Sequence, residues 1–360
     1  MLTLKFRCNL GWTLLFALLV TPAVAQYRVV SLVANEKDLG HMIPQAGHID
    51  HHLANGWGLA FLPNSPFWVS DEMTGFSTIY AGDGTIEPLV VTVPKAPNDA
   101  LPPGSPTGIV ANPSGSGFVV SKAGKSGSAA FIFATLDGTI SGWNPSVDLT
   151  NAVIALDNSS KPAAYTGLAI ANTKSGAYIY AANAATNRIE KYNSKFELVT
   201  TFGDASIPPP FGVYGVAALR DHIYVTYATV LPGKPGAGFV AVFDESGTLD
   251  KTLISATPGG PLNIPWGMAI APWNFGKFGN ALLVGNVQDG RINAFNPETG
   301  EFLGHLSDCD GRAIEIPGLW ALSFGGGTAS NGKANELFLT AGPDTYYGGL
   351  FGKIVAEEKR

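Results

Sequence analysis

Four of the six histidines, His41, His48, His51 and His52, fall within twelve residues beside Asp50, and neutral imidazole is a common ligand of Zn²⁺ and Cu²⁺. Established metal spacings such as His-Glu-x-x-His are missing here. The segment also carries Pro44 and Gly47, so an exposed polar loop is the preferred reading, with His48, His51 and His52 as the metal candidates it leaves. Other chemistries fail on spacing. Gly124-Lys125-Ser126 resembles the end of a phosphate loop, but the required earlier glycine is Val119 and no helical pattern follows, so a hairpin is expected in the Gly- and Ser-rich stretch 121–128. There is no Gly-x-Ser-x-Gly elbow for a serine hydrolase. Cys309 lies between Asp308 and Asp310, whose charge disfavours the thiolate a nucleophile needs; the two aspartates before Gly311 read as a turn. A second polar set, Asp71, Thr135, Asn183, Tyr227 and Asn286, with Gly342 in sixth place, stands at equivalent points of a repeating unit. Around a channel mouth these residues could form a ring of ligand-binding candidates, although side chains that cap strand ends and turns are the preferred reading.

The unit that must position this ring is short and recurs six times. A small or aromatic residue precedes Gly, and an alternating apolar run follows: Trp57-Gly58-Leu59-Ala60-Phe61, Thr107-Gly108-Ile109-Val110-Ala111, Thr166-Gly167-Leu168-Ala169-Ile170, Tyr214-Gly215-Val216-Ala217, Trp266-Gly267-Met268-Ala269-Ile270 and the degenerate Trp320-Ala321-Leu322-Ser323-Phe324. The period is about fifty residues, the signature of a repeat architecture. Each copy is followed by a β-rich run, a turn and a second run, as in Asn280 to Asn286, Asp289-Gly290, then Arg291 to Asn296. Asp-Gly between such runs is a strong hairpin signal, because the turn needs positive φ. A fourth run follows in most units, for example Leu89 to Val93 and Ala152 to Leu156.

Composition agrees with strands. The 360 residues include 44 Gly, 25 Pro, 20 Phe, 11 Tyr and 7 Trp, with 46% hydrophobic and only 14% charged. That excludes a disordered chain and a helical bundle. Four strands per unit and six units predict an all-β fold, a six-bladed β-propeller of four-stranded antiparallel blades. The sixth unit supplies three strands, Leu319 to Phe324, Glu336 to Thr340 and Leu350 to Val355. Its outer strand is expected from Tyr27 to Val33, so that the two ends of the chain close the ring.

Residues 1–25 have the parts of a signal peptide: Lys5 and Arg7, an apolar run from Leu10 to Val20, and Ala23-Val24-Ala25 before the cut. The expected organisation is therefore a leader over 1–25, one propeller over 26–355 and a short tail over 356–360, in a secreted or periplasmic protein with no later membrane span. Loss of the leader removes Lys5 and Arg7 and takes the net charge from −6 to −8. Without a basic cluster, no nucleic-acid partner is expected. Cys309 then has no intramolecular partner.

The segments Asn55 to Phe61 with Phe67 to Asp71, Phe131 to Asn144, Leu262 to Gly267, Asn280 to Phe295, and Thr340 to Pro343 with Gly349 to Gly352 resemble the NHL-type six-bladed propellers, and more closely a family of secreted bacterial proteins of unknown function. The sequence departs from that family at Asp50-His51-His52-Leu53, where an Asp-Pro-Asn-Leu segment stands in the family, and ends Val355 to Arg360 where some members carry a Pro-Glu-Pro sorting tail. The resemblance implies a fold and a location but no activity. The leading expectation is a binding scaffold for a small molecule or a cell-surface protein. The alternative is a channel-mouth hydrolase or lyase of the lactonase-like propeller type, using Asp71, Asn183 and Asn286 and, if metal-dependent, calcium. A tight calcium site wants several carboxylate or carbonyl oxygens. Asp71 is the one charged member of the ring, so no cofactor is expected.

Overall fold

Successive residues of a strand point to opposite faces, and the apolar runs use this to feed both neighbouring blades. Phe131 and Phe133 pack towards Trp68 and Ile79 of the preceding blade, while Ile132 and Ala134 pack towards Leu168 and Ile179 of the next. A sheet buried on both faces in this way has to be one of a stack. In the computed structural model of the chain, which describes residues 26–39, 43–99, 103–229 and 234–357, the stack closes into a six-bladed propeller. Residues 1–25, where a leader is expected, and His41 lie outside these residues.

Blade 1 runs outward from Gly56–Ala60 through Phe67–Asp71 and Phe76–Tyr80 to Val91–Thr92. Blade 2 has Pro106–Ala111, Phe131–Thr135, Thr139–Trp143 and Val153–Asp157. Blade 3 has Tyr165–Thr173, Gly176–Asn183, Arg188–Asn193 and Leu198–Phe202. Blade 4 has Gly212–Leu219, His222–Ala228, Phe239–Asp244 and Leu249–Ile254. Blade 5 has Pro265–Ile270, Leu282–Asn286, Ile292–Phe295 and Phe302–His305. All pair antiparallel in sequence order. The outer strand of blade 1 is shorter than the run Leu89 to Val93 suggests, because Pro88 and Pro94 bracket it and Thr92 N–H turns to the carbonyl of Thr150 in blade 2.

Blade 6 is built from both ends of the chain. Leu319–Phe324, Glu336–Ala341 and Leu350–Glu357 pair in order, and Gln26–Ala34 pairs antiparallel with the last of them. Pairing of Gln26 with Glu357 and Tyr27 with Ala356 carries the last strand through Glu357. The two-residue strand His48–Ile49 then adds in parallel to Val33 and Ala34. Tyr27 ties this seam to blade 5: its hydroxyl donates to the carbonyl of Phe275 at 3.1 Å and accepts from Phe278 N–H at 3.2 Å. The stretch 121–128 is the expected hairpin, turning at Ala123 and Gly124, both at positive φ. Asp308 Oδ1 accepts from the N–H groups of Asp310 and Arg312 in the turn that carries Cys309.

Each blade interface has its own apolar cluster, six in all, and a seventh sits on the axis. The repeat glycines permit the inner strands to crowd together. A Cβ on Gly267 would lie 2.2 Å from the Trp320 carbonyl oxygen of the next blade, and one on Gly108 would lie 2.3 Å from Leu168 N. We expect Gly267→Ala to cost about 1–3 kcal/mol, the range for forcing extra atoms into a packed interior. Gly47→Ala, whose Cβ would meet only the Leu32 carbonyl at 3.7 Å, is expected to stay within about 0.5 kcal/mol of the parent. Equal denaturant midpoints for the two variants would refute the close-approach argument.

Candidate functional site

The residue before the repeat glycine, or before Ala321 in the sixth unit, is aromatic in four blades, and these four side chains meet at the axis. Trp57 and Trp320 stack with ring centroids 3.7 Å apart and planes inclined at 15°. Trp266 presents its edge to both, at 6.3 Å and 5.9 Å. Tyr214 and, from the loop after Thr340, Tyr346 flank Trp320 at 6.1 Å and 5.8 Å. Hydrogen bonds fix the rings: Trp320 Nε1 donates to Asn55 Oδ1 at 2.7 Å, and Trp266 Nε1 donates to the Thr166 carbonyl of blade 3 at 2.8 Å. The Trp57 Nε1 is buried without an acceptor among the described residues.

This aromatic plug separates two cavities. One, of about 550 Å³, is lined by the far ends of all six inner strands, including Phe61, Ile109, Leu168, Val216, Met268 and Leu322. The other, of about 620 Å³, opens at the opposite mouth, where the inner strands begin; its polar lining comes from Thr166, Tyr214, Thr229, Gln288 and Tyr346, beside Ile264. Tyr346 is carried by a loop in which Asp344, Thr345 and Tyr346 all have positive φ, at 53°, 55° and 73°. Such conformations are unfavourable for residues with a Cβ and recur at ligand clamps. Burial raises the pKa of both tyrosines, and the second ring adds to the effect at Tyr214.

The polar set read from the repeat takes other positions. Asp71, Thr135, Asn183, Tyr227 and Asn286 are all fully or almost fully buried, and none of them lines either cavity. Four are held within their own surroundings. Asn183 Oδ1 accepts from the N–H groups of Ala164 and Ala185 while its Nδ2 donates to Glu190 Oε1. Asn286 repeats the pattern with Asn263 N–H, the Pro261 carbonyl and Asp289 Oδ1. Thr135 Oγ1 donates to Asp137 and accepts from Thr139 N–H. The Tyr227 hydroxyl accepts from Asp204 N–H at 2.8 Å, and burial pushes its pKa up to about 12. These side chains cap strand ends and turns. Gly342 is pressed against Asn55, whose Oδ1 lies 2.0 Å from where a Cβ would stand. The polar residues that reach the mouth come two positions later, Thr229 after Tyr227 and Gln288 after Asn286. Two adjacent tyrosines, Tyr346 and Tyr347, in a glycine-flanked loop were a signal left unused.

Asp71 is the exception. It is 0% exposed, and among the described residues neither carboxylate oxygen has a partner at hydrogen-bond geometry. Burial lifts its pKa well above the carboxylate range; Thr78 works against this and the charge of Asp50 adds to it. Asp50 in turn accepts from the Tyr80 hydroxyl at 3.0 Å and contacts His52 Nδ1 at 2.9 Å. His48, His51 and His52 are all exposed, and among the described residues no group of three or more His, Cys, Asp or Glu is placed to hold a metal.

Two uncharacterised proteins of Acanthamoeba polyphaga mimivirus match nearly the whole chain. Protein R648 is 30% identical over 351 residues, covering 93% of this chain and 82% of its own length; protein L690 is 28% identical, covering 93% and 87%. The chain belongs to their family. These relatives are viral, where the sequence motifs had pointed to bacterial proteins, and no protein-family model matches. Among solved structures, a gluconolactonase of Xanthomonas campestris superposes with a TM-score of 0.52 at 14% identity, covering 85% of this chain and 87% of that one. The virginiamycin B lyase of Staphylococcus aureus gives 0.51 at 12%, covering 92% and 99%. At such identities the likeness to both is one of fold. No helix among the described residues is long and apolar enough to cross a membrane.

Proposed function

We propose that the protein is an exported binding module whose mouth pocket holds an uncharged small ligand, one with a flat or ring-shaped face and hydroxyl or carbonyl groups at its edge. One observation carries this reading: the pocket of about 620 Å³ combines two tyrosines, two threonines and a glutamine, with no carboxylate, imidazole or ammonium in its lining. That volume is in the range of small-molecule sites, which are mostly apolar with a few placed polar groups. Tyr214 and Tyr346 offer ring surface backed by Trp320, and Gln288 offers both a donor and an acceptor. The sequence of residues 1–25, with its basic start and small-residue end, supports export. The NHL-like motifs remain part of this proposal as a description of the repeat.

The competing reading is a lactonase- or lyase-type enzyme, supported by the fold shared with two such proteins. General acid–base catalysis needs a titratable group within reach of the substrate, and the pocket lining supplies none, which favours binding. A thermal-shift screen of neutral carbohydrates, lactones and aromatic amides, read beside a lactone-hydrolysis assay, separates the two. A binder found this way is expected to lose about tenfold in affinity in Gln288→Ala, the worth of one neutral hydrogen bond, and to bind without being consumed. Unchanged affinity in Gln288→Ala and in Tyr214→Ala refutes the pocket assignment; turnover of a lactone refutes the binding module.

A further inference from the structure

The seam between blades 6 and 1 buries two carboxyl groups against an apolar face. Asp71 ends the second strand of blade 1, on the face shared with Phe67 and Val69; Thr78 and Tyr80 stand on the same face of the next strand. That face packs on Leu32, Val33, Phe338 and Phe351 of blade 6. Asp50 reaches the same interface from the other side: it follows the short strand His48–Ile49 in the sheet of blade 6, and its N–H donates to the Ala34 carbonyl at 2.9 Å. The two aspartates are 0% and 9% exposed. Asp50 pairs with His52, whose side chain is 52% exposed, and among the described residues Asp71 makes no ion pair. Tyr80 has a single hydroxyl proton and donates it to Asp50. The Thr78 hydroxyl, on a residue 1% exposed, has no partner at hydrogen-bond geometry among the described residues.

We propose that Asp71, Asp50 and the Thr78 hydroxyl form a site for one calcium ion, which joins the first blade to the last. The donors are all oxygen, the set preferred by hard cations over zinc or copper. Two carboxylates and one hydroxyl fall outside the His-, Cys- and acid-rich clusters that mark transition-metal sites. A buried charge without a partner costs several kcal/mol, and a cation removes that cost at Asp71 while supplying its oxygens and the Thr78 hydroxyl with a partner. Asp50 Oδ1 is engaged by both the N–H and the ring nitrogen of His52, so the oxygen with a lone pair left for the ion is Oδ2, which accepts from Tyr80. Calcium is chosen over magnesium because it accepts irregular oxygen shells and sheds water readily, whereas magnesium holds its waters and needs octahedral geometry. This site is separate from the mouth pocket, with which it shares no residue.

The test is calorimetric titration of EDTA-treated, dialysed protein with CaCl₂, run beside thermal unfolding and elemental analysis. One equivalent of calcium is expected, with a rise in Tm and an affinity for magnesium at least about tenfold weaker. Asp71→Asn keeps the shape and removes the charge; it is expected to fold without calcium and to lose more than about 100-fold in calcium affinity, beyond what loss of an outer partner costs. Thr78→Val is the second variant and should weaken calcium without touching either carboxylate. Absence of calcium binding by the parent protein, equal magnesium affinity, or calcium binding unchanged in Asp71→Asn overturns the proposal. Ligand binding at the mouth is expected to be the same in Asp71→Asn, so the two readings fail independently.

Discussion

A chain beginning at Asn35, without Gln26–Ala34, is expected to lose cooperative folding. The deleted strand makes eight cross-strand pairs with Leu350–Glu357 and buries Tyr27, Leu32, Val33 and Ala34 to 2%, 6%, 0% and 1% exposure. At about 1.5–3 kcal/mol for each of the three large side chains, the loss is about 4–9 kcal/mol. Native proteins are stable by about 5–15 kcal/mol in total, so this one element accounts for much of the margin. The deletion also removes Tyr27, which bonds to Phe275 and Phe278 in blade 5. It exposes the apolar last strand as an edge able to pair with other chains. The exposed pair of Arg28 with Glu357 contributes little by comparison. Circular dichroism melts with sedimentation analysis check this: a broad or absent transition with oligomers is the expected result. A sharp transition within a few degrees of the parent, in a monomer, would show that closure by the two ends is dispensable.

The ring was legible because its signals are local and repeated. Asp289-Gly290 and Asp137-Gly138 declare hairpins through the turn they require, and Gly138 and Gly290 take positive φ as the turns need. Closure followed from counting strands: three in the last unit, one left over at Tyr27 to Val33. The mouth was less legible, for a geometric reason. Because a strand alternates faces, a shift of one residue turns a side chain from the axis to the blade gap, and the sequence does not mark where a strand leaves the sheet. Asn183 and Asn286, for which the sequence allowed both a ligand group and the preferred turn cap, serve as turn caps, while Thr229 and Gln288 are unremarkable in sequence and line the pocket. Tyr346 belongs to a loop outside the repeat, so alignment of the units could not place it. The aromatic residues before the glycines were visible as a pattern, but that Trp57, Trp266 and Trp320 meet needs the ring itself.

Trp320→Ala tests whether that meeting point holds the molecule together. Trp320 is 2% exposed and touches Trp57, Tyr214, Trp266 and Tyr346. Truncating a buried aromatic costs about 3–5 kcal/mol, and Asn55 Oδ1, buried with its residue at 3% exposure, loses its indole donor for about 1 kcal/mol more. For a domain of this size each kcal/mol lowers Tm by about 2 °C, so a drop of about 8–12 °C is expected. Trp320→Phe retains a ring against Trp57 and gives up the hydrogen bond, so it should recover more than half of that loss. The second consequence concerns function. With the plug thinned, the cavities of about 550 Å³ and 620 Å³ lose their partition, and Tyr214 and Tyr346 lose the surface that backs them. Mouth-pocket ligands should then bind more weakly in Trp320→Ala than in Trp320→Phe, by more than the stability difference alone imposes at temperatures where both are folded. Equal binding by the two would mean that the plug stabilises the ring without shaping the pocket.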